Sequence, residues 1–315
     1  MNVPRRMAGV VAAVITPVDA SGSPDLERLI RRCAWLLGNG CDGINLLGTT
    51  GEAVSFAVEQ RLAIMRAVAT AGLPLERFMT GTGAAALSDT IVLTREAVRL
   101  GYRAALVIPP FYYKNLDGDG VFEYYARLID RVAEPDACIY LYHFPALSGV
   151  AFDLELVARL VRAYPQTVRG IKDSSGSLEF ARAVAAEFPA FDVFPSSETV
   201  LNGGRAAGFA GCVSATVNVS APLAARVWAA SADAKDAPAT PDAEALAAIR
   251  TALARHPLVA AVKCAVARVF HDPDLARVLP PLRPLDAQSG ADLVRDLEGI
   301  DAYRAIAAGA AERGA

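Results

Sequence analysis

The stretch Thr167-Val168-Arg169-Gly170-Ile171-Lys172-Asp173-Ser174-Ser175-Gly176 runs from a short apolar strand, through a lysine, into small polar turn residues. A helical pattern follows at once in Leu178-Glu179-Phe180-Ala181-Arg182-Ala183-Val184. Strand, tight turn and helix in immediate succession make a βα unit. A lysine at the strand end is held on a rigid element and partly desolvated, the setting in which an amine attacks a carbonyl carbon. Most strand-end lysines are plain surface residues. Lysine is scarce in this chain, however: Lys114, Lys172, Lys235 and Lys263 are the only ones, and arginine supplies the remaining basic charge. Arginine keeps its proton, so a chain that solvates itself with arginine and retains a lysine here points to amine chemistry at Lys172.

The same unit recurs along the chain. Strand-like runs at 9–15, 43–47, 77–80, 104–108, 137–142, 168–171, 191–194 and 211–213 alternate with helical stretches at 25–37, 58–68, 89–100, 120–132, 154–163, 178–188 and 199–207, and with a last one from near Ala221. Eight strands, each followed by a helix, over residues 1–230 match the roughly 250-residue size of a (β/α)8 TIM barrel. A doubly wound open sheet would show a G-x-G-x-x-G turn after its first strand, and that place reads Thr16-Pro17-Val18-Asp19. The fold class is therefore α/β, a TIM barrel. Residues 231–244, rich in Ala, Asp and Pro, read as a linker to a C-terminal helical extension over 231–315, with helices expected at 245–255, 257–270 and 291–308.

Bulk composition narrows the function. Hydrophobic residues make up 53% and charged residues 21% of 315, enough for a large core. The net charge of -3 and the lack of a basic stripe argue against nucleic acid as a partner. Cys33, Cys41, Cys138, Cys212 and Cys264 are scattered without a C-x-x-C pair, as expected of free thiols in a reducing cytoplasm. Arg5-Arg6 and the apolar run after it imitate a signal peptide, but the run meets Thr16-Pro17 and Asp19 with no A-x-A cleavage site. No stretch approaches a ~20-residue apolar span, so no membrane partner is expected.

In a barrel the chemistry gathers at the C-terminal ends of the strands. The second strand ends in Gly48-Thr49-Thr50-Gly51-Glu52, where backbone amides and two hydroxyls can converge on a carboxylate. A helix-capping turn has the same composition. The fourth ends in Pro109-Pro110-Phe111-Tyr112-Tyr113-Lys114, a rigid aromatic loop more typical of packing or subunit contact than of chemistry. The fifth ends in Tyr140-Leu141-Tyr142-His143-Phe144-Pro145; alternation puts Tyr140 and Tyr142 on one face, with Tyr142 nearer the mouth. A tyrosine facing an imine-forming lysine can relay protons, because its hydroxyl donates and accepts. His143 has no second ligand at metal spacing and reads as structural or substrate-facing, so no metal is expected.

These stretches, with Ile15-Thr16-Pro17, Gly81-Thr82-Gly83, Tyr142 through Gly149, Gly170-Ile171-Lys172-Asp173, Gly211 through Asn218 and Leu282-Arg283-Pro284-Leu285, make the chain resemble the dihydrodipicolinate synthase/N-acetylneuraminate lyase family of class I (Schiff-base) 2-oxo-acid lyases and aldolases. The resemblance implies that Lys172 forms an imine with a pyruvate-like 2-oxo acid and that Tyr142 shuttles protons. It implies that Thr49 links Tyr142 to a Tyr112 donated by a neighbouring subunit of a homotetramer. It also places Gly48, Thr49, Thr50, Leu147, Ser196 and Val213 around the substrate, and calls for no cofactor.

Two departures bear on the substrate. Synthases of the family read Tyr-Asn-x-Pro-x-Arg-Thr-Gly where this chain has Tyr142-His143-Phe144-Pro145-Ala146-Leu147-Ser148-Gly149, so Leu147 replaces the arginine. Leucine cannot replace a guanidinium that meets a carboxylate. The segment is closer to N-acetylneuraminate lyases, yet those carry Ser-Thr in place of Thr49-Thr50 and an Asp-Glu pair where Glu198-Thr199 stands, and Ser196 occupies a common glycine position. The expected activity is cleavage or formation of a C–C bond in a hydroxylated 2-oxo sugar acid, of the 2-keto-3-deoxygluconate or N-acetylneuraminate kind. The alternatives are dihydrodipicolinate synthesis, dehydration of a 2-keto-3-deoxy sugar acid, or a non-catalytic 2-oxo-acid-binding barrel.

Overall fold

A computed structural model describes residues 6–231 and 239–313. Arg5, Lys235 and half of the expected linker lie outside the described residues. Eight short strands follow in order: β1 Gly9–Ala13, β2 Gly43–Leu46, β3 Phe78–Gly81, β4 Ala104–Val107, β5 Ile139–His143, β6 Val168–Asp173, β7 Asp192–Pro195 and β8 Gly211–Ser214. All pair in parallel, in the sheet order β7-β6-β5-β4-β3-β2-β1-β8. The Ala210 amide, just ahead of β8, donates to the Val193 carbonyl of β7 at 2.9 Å and brings the two ends together as a (β/α)8 barrel.

Helices α1 Leu26–Gly38, α2 Val58–Thr70, α3 Leu87–Leu100 and α4 Gly118–Val132 cover the first half of the barrel. A single turn, α5 Pro145–Ser148, sits in the loop after β5, and α6 Leu154–Ala163, α7 Leu178–Glu187 and α8 Val217–Ala230 complete the ring. Several starts are written locally. The side chains of Asp25, Asp117, Asp153 and Ser177 accept from the backbone amides of Arg28, Gly120, Leu156 and Phe180, each satisfying an orphan donor of the first turn. Such a cap contributes about 1 kcal/mol.

Strand alternation sorts the apolar residues into two layers. Ile44, Leu46, Leu141 and Ile171 face outward into the cores between sheet and helices, while Val11, Ala13, Met79, Leu106, Tyr140, Tyr142, Phe194 and Val213 fill the lumen. The lumen is thus packed rather than open, with Gly170 making room for a large side chain. A Cβ at Gly170 would lie 2.3 Å from the Tyr140 ring.

The helix expected at 199–207 is instead one 3-10 turn, Glu198–Leu201, followed by further turns. Gly203 and Gly208 there adopt φ of +83° and +78°, which a right-handed helix cannot hold. The helix expected at 291–308 is two, α11 Ala287–Glu298 and α12 Asp301–Arg313, separated at Gly299-Ile300. With α9 Pro241–Ala254 and α10 Leu258–Val269 they form the C-terminal layer. Leu246, Ile249, Val262, Val266, Leu293 and Leu297 of these helices are fully buried in the same apolar cluster as Val10, Ile44 and Leu46 of the barrel. Among the described residues no single helix is long and apolar enough to cross a membrane.

Candidate active site

The mouth owes its geometry to an irregularity in β6. Ile139 pairs with Val168, but Tyr140 pairs with Gly170, so Arg169 is an extra residue on the bulged strand. Val168 and Ile171 both face the outer core. Strict alternation from Val168 would send Lys172 outward as well; the bulge switches the phase and turns Lys172 into the lumen. From there on Tyr142 is the register partner of Lys172.

Lys172 and Tyr142 are each 4% exposed. The Lys172 Nζ stands 4.4 Å from the centroid of the Tyr142 ring. The Tyr142 hydroxyl shares a hydrogen bond of 3.1 Å with the Thr49 hydroxyl, which comes from the turn after β2. Three of the expected catalytic residues, from β5, β6 and the β2 turn, therefore meet within one chain. Beneath them the Tyr140 hydroxyl donates to Asp192 Oδ2 at 2.5 Å, and Arg6 Nε donates to the other oxygen at 2.5 Å. Burial pushes the Tyr140 phenol well above its ordinary value, so it stays protonated and closes the floor.

The Gly48-Thr49-Thr50-Gly51-Glu52 turn is held from behind. Leu47 and Glu52 both adopt left-handed φ, 52° and 54°. Glu52 Oε2 accepts from the Leu279 amide at 2.6 Å, and its other oxygen pairs with Lys263, both side chains being wholly buried. Lys263 also donates to the Arg277 carbonyl at 2.6 Å. Burial pulls the Lys263 ammonium below its ordinary value, and the Glu52 carboxylate opposes that shift. Neither the bulge at Arg169 nor this ion pair is signalled by local sequence. Lys263 carries no helix-period or motif mark beyond its apolar surroundings in α10.

Other expected site residues fall as follows. Thr50 and Gly48 are buried in the turn, and Val213 is fully buried in the lumen with Tyr142. Ser196, just past β7, is half-buried, and its amide donates to the Asp173 carbonyl at 2.9 Å. Leu147 lies on α5 with 55% of its surface exposed. Tyr112 is 74% exposed and packs edge-on against Tyr113 at 5.4 Å, and among the described residues it makes no hydrogen bond or ring contact with Thr49. His143 alternates away from the lumen, with its ring 4.7 Å from Phe180 and its Nδ1 3.0 Å from Asp173 Oδ1. Glu198 is wholly buried, and its carboxylate is taken up by Ser214, Thr216 and Arg250. Among the described residues no group of three His, Cys, Asp or Glu is placed to hold a metal ion.

Comparison with known proteins agrees with the fold. Residues 6–300 match the dihydrodipicolinate synthetase family. A DapA-like lyase of Chloroflexus aurantiacus is 34% identical over 221 residues, 70% of this chain and 73% of that protein. The prophage protein YagE of E. coli K12, solved in complex with pyruvate, superposes with a TM-score of 0.84 at 27% identity, covering 94% of this chain and 99% of the other. The N-acetylneuraminate lyase of Proteus mirabilis superposes with a TM-score of 0.79, also at 27% identity, over 94% and 99% of the two chains. The protein is thus a lyase built on a (β/α)8 barrel. It belongs to the dihydrodipicolinate synthetase family.

Proposed function

We propose that the protein is a Schiff-base lyase acting on a short hydroxylated 2-oxo sugar acid, with Lys172 as the imine-forming residue. The observation that carries this reading is the convergence of Lys172, Tyr142 and Thr49 at the mouth. The Lys172 amine adds to the C2 carbonyl and water leaves, giving a protonated imine. When the C3–C4 bond breaks, its electrons pass into the imine to form an enamine, and the proton of the C4 hydroxyl goes to the Tyr142 oxygen. Tyr142 passes its own proton on through Thr49 to water at the mouth. An aldehyde departs, the enamine is protonated at C3, and hydrolysis of the imine returns pyruvate and the free lysine. The reverse sequence is an aldol condensation. The backbone and hydroxyls of Gly48, Thr49 and Thr50 hold the ligand carboxylate. No cofactor takes part.

Leu147 supports a tail without charge, since an isobutyl group at the mouth offers nothing to a second carboxylate. The engagement of Glu198 by Ser214, Thr216 and Arg250 leaves no carboxylate there for a long polyol tail, which supports a substrate shorter than N-acetylneuraminate. Val213 and Ser196 are assigned as further substrate contacts. The exposed Tyr112 and Tyr113 support a homotetramer in which Tyr112 reaches a neighbour's Thr49. The free cysteines support a cytoplasmic setting. The test is a panel of 2-oxo acids and aldehydes assayed in both directions, with pyruvate release and loss of water measured separately. Pyruvate and aldehyde appearing together from 2-keto-3-deoxygluconate are expected. Water loss without an aldehyde would make the protein a dehydratase instead.

A further inference from the structure

Asn45 occupies the middle of β2, where Ile44 and Leu46 point outward into the core between sheet and helices. Alternation therefore turns Asn45 into the lumen. Its register partners, Ala13 and Met79, belong to the apolar lumen cluster with Tyr142 and Val213. The side chain is wholly buried, and neither Oδ1 nor Nδ2 has a hydrogen-bond partner among the described residues. Its Nδ2 lies so close under the turn that a Cβ added to Gly48 would come within 2.6 Å of it. The residue after Gly48 is Thr49, whose hydroxyl holds Tyr142.

Buried polar groups nearly always find partners, and an apolar residue of the same shape serves stability as well or better than an unpartnered amide. The strands on either side set Asn45 between Ala13 and Met79, both apolar, so its partner arrives from the mouth. We infer that Asn45 is a further substrate-contacting residue, whose carboxamide hydrogen-bonds an oxygen of the bound 2-oxo acid from below the Gly48-Thr49-Thr50 turn. The inference rests on the lyase reading above and deepens it. A neutral amide suits the position, because it adds a donor under an anionic ligand with no charge of its own. A carboxylate of the same shape would repel the ligand.

The test compares wild type with Asn45→Leu, which keeps the shape and removes both polar atoms, and with Asn45→Asp, which keeps the shape and adds charge. Pyruvate is titrated, the imine is trapped with borohydride and quantified by intact-mass spectrometry, and each melting temperature is recorded. Asn45→Leu is expected to need about five- to tenfold more pyruvate for half-maximal adduct, the size of one lost hydrogen bond. It should melt at or above the wild-type temperature. Asn45→Asp should need more pyruvate still. If Asn45→Leu fails to fold, Asn45→Ala, which leaves space rather than bulk, is read in the same way. A pyruvate dependence within twofold of wild type overturns the assignment of Asn45 alone. A wild type that forms no adduct at any pyruvate concentration overturns the Schiff-base reading and this inference with it.

Discussion

Tyr142 and Lys172 face each other across β5 and β6 as register partners, with the lysine nitrogen 4.4 Å from the centre of the tyrosine ring. That pairing exists because one extra residue, Arg169, shifts the register two pairs earlier. The ring shields the amine on one side while its hydroxyl is tied to Thr49 on the other. An amine, a phenol and a hydroxyl-bearing turn are thereby held on three rigid strand ends.

Tyr142→Phe removes the proposed relay and leaves the ring packing in place. Turnover should fall by roughly 10²–10⁴-fold, the usual contribution of general acid–base catalysis. Imine formation with pyruvate should survive in part, because the amine is untouched. A change in kcat of less than about threefold would make Tyr142 a packing residue only.

Under the proposed function, Leu147 disfavours a charged tail. A charge left unmet in a half-buried site costs a few kcal/mol, and each ~1.4 kcal/mol is tenfold in kcat/KM. Aspartate semialdehyde should therefore condense poorly with the pyruvate enamine, while 2-keto-3-deoxygluconate is cleaved well. Side-by-side kcat/KM values check this. A tenfold advantage for the semialdehyde would mean that a residue outside this loop, such as Arg205, supplies the charge.

Glu52 and Lys263 tie the Gly48–Glu52 turn to α10. Lys263→Met strands the Glu52 charge in the interior and should destabilise the fold by about 3–5 kcal/mol. Adding Glu52→Gln should recover part of that loss, since the stranded charge is then gone. Chemical denaturation of the single and double variants measures both effects. Equal stability of Lys263→Met and wild type would show that the pair contributes nothing to holding the turn.

Alkaline stability follows from the buried thiols. Burial pushes Cys138 from an ordinary value near 9 up to about 11, and Cys33 up to about 12. A thiol whose pKa is raised by folding stabilises fully below its unfolded value, and that stability is lost as pH rises through the folded value. Each such thiol should remove about 1.4 kcal/mol per pH unit between the two. Cys138→Ala should thus close on wild type in stability between pH 9 and pH 11. Parallel pH curves for the two proteins would contradict the burial assigned to this thiol.

Much of the barrel is legible because each strand is a short apolar run that ends in turn residues, and hydrophobic periodicity marks such runs well. The residues at those ends are equally visible: Lys172, Tyr142 and the Gly48–Glu52 turn stand out by type. What stays hidden depends on contacts far along the chain or on backbone detail. Nothing near Arg169 announces a bulge, although the direction of Lys172 depends on it. Glu52 and Lys263 meet only once α10 has packed against the barrel. Residues 199–207 carry enough apolar spacing for a helix, and the positive φ of Gly203 and Gly208 overrides it. Asn45 sits in a strand of apolar neighbours and is distinguished only by its lack of a partner.

The most direct measurement is the mass of the protein after incubation with pyruvate and borohydride, for wild type and for Lys172→Ala. Schiff-base chemistry at Lys172 predicts a single reduced pyruvate adduct on wild type, mapping by peptide analysis to the segment that contains Lys172, and none on the variant. An adduct that survives Lys172→Ala, or that maps to Lys114, Lys235 or Lys263, would contradict it.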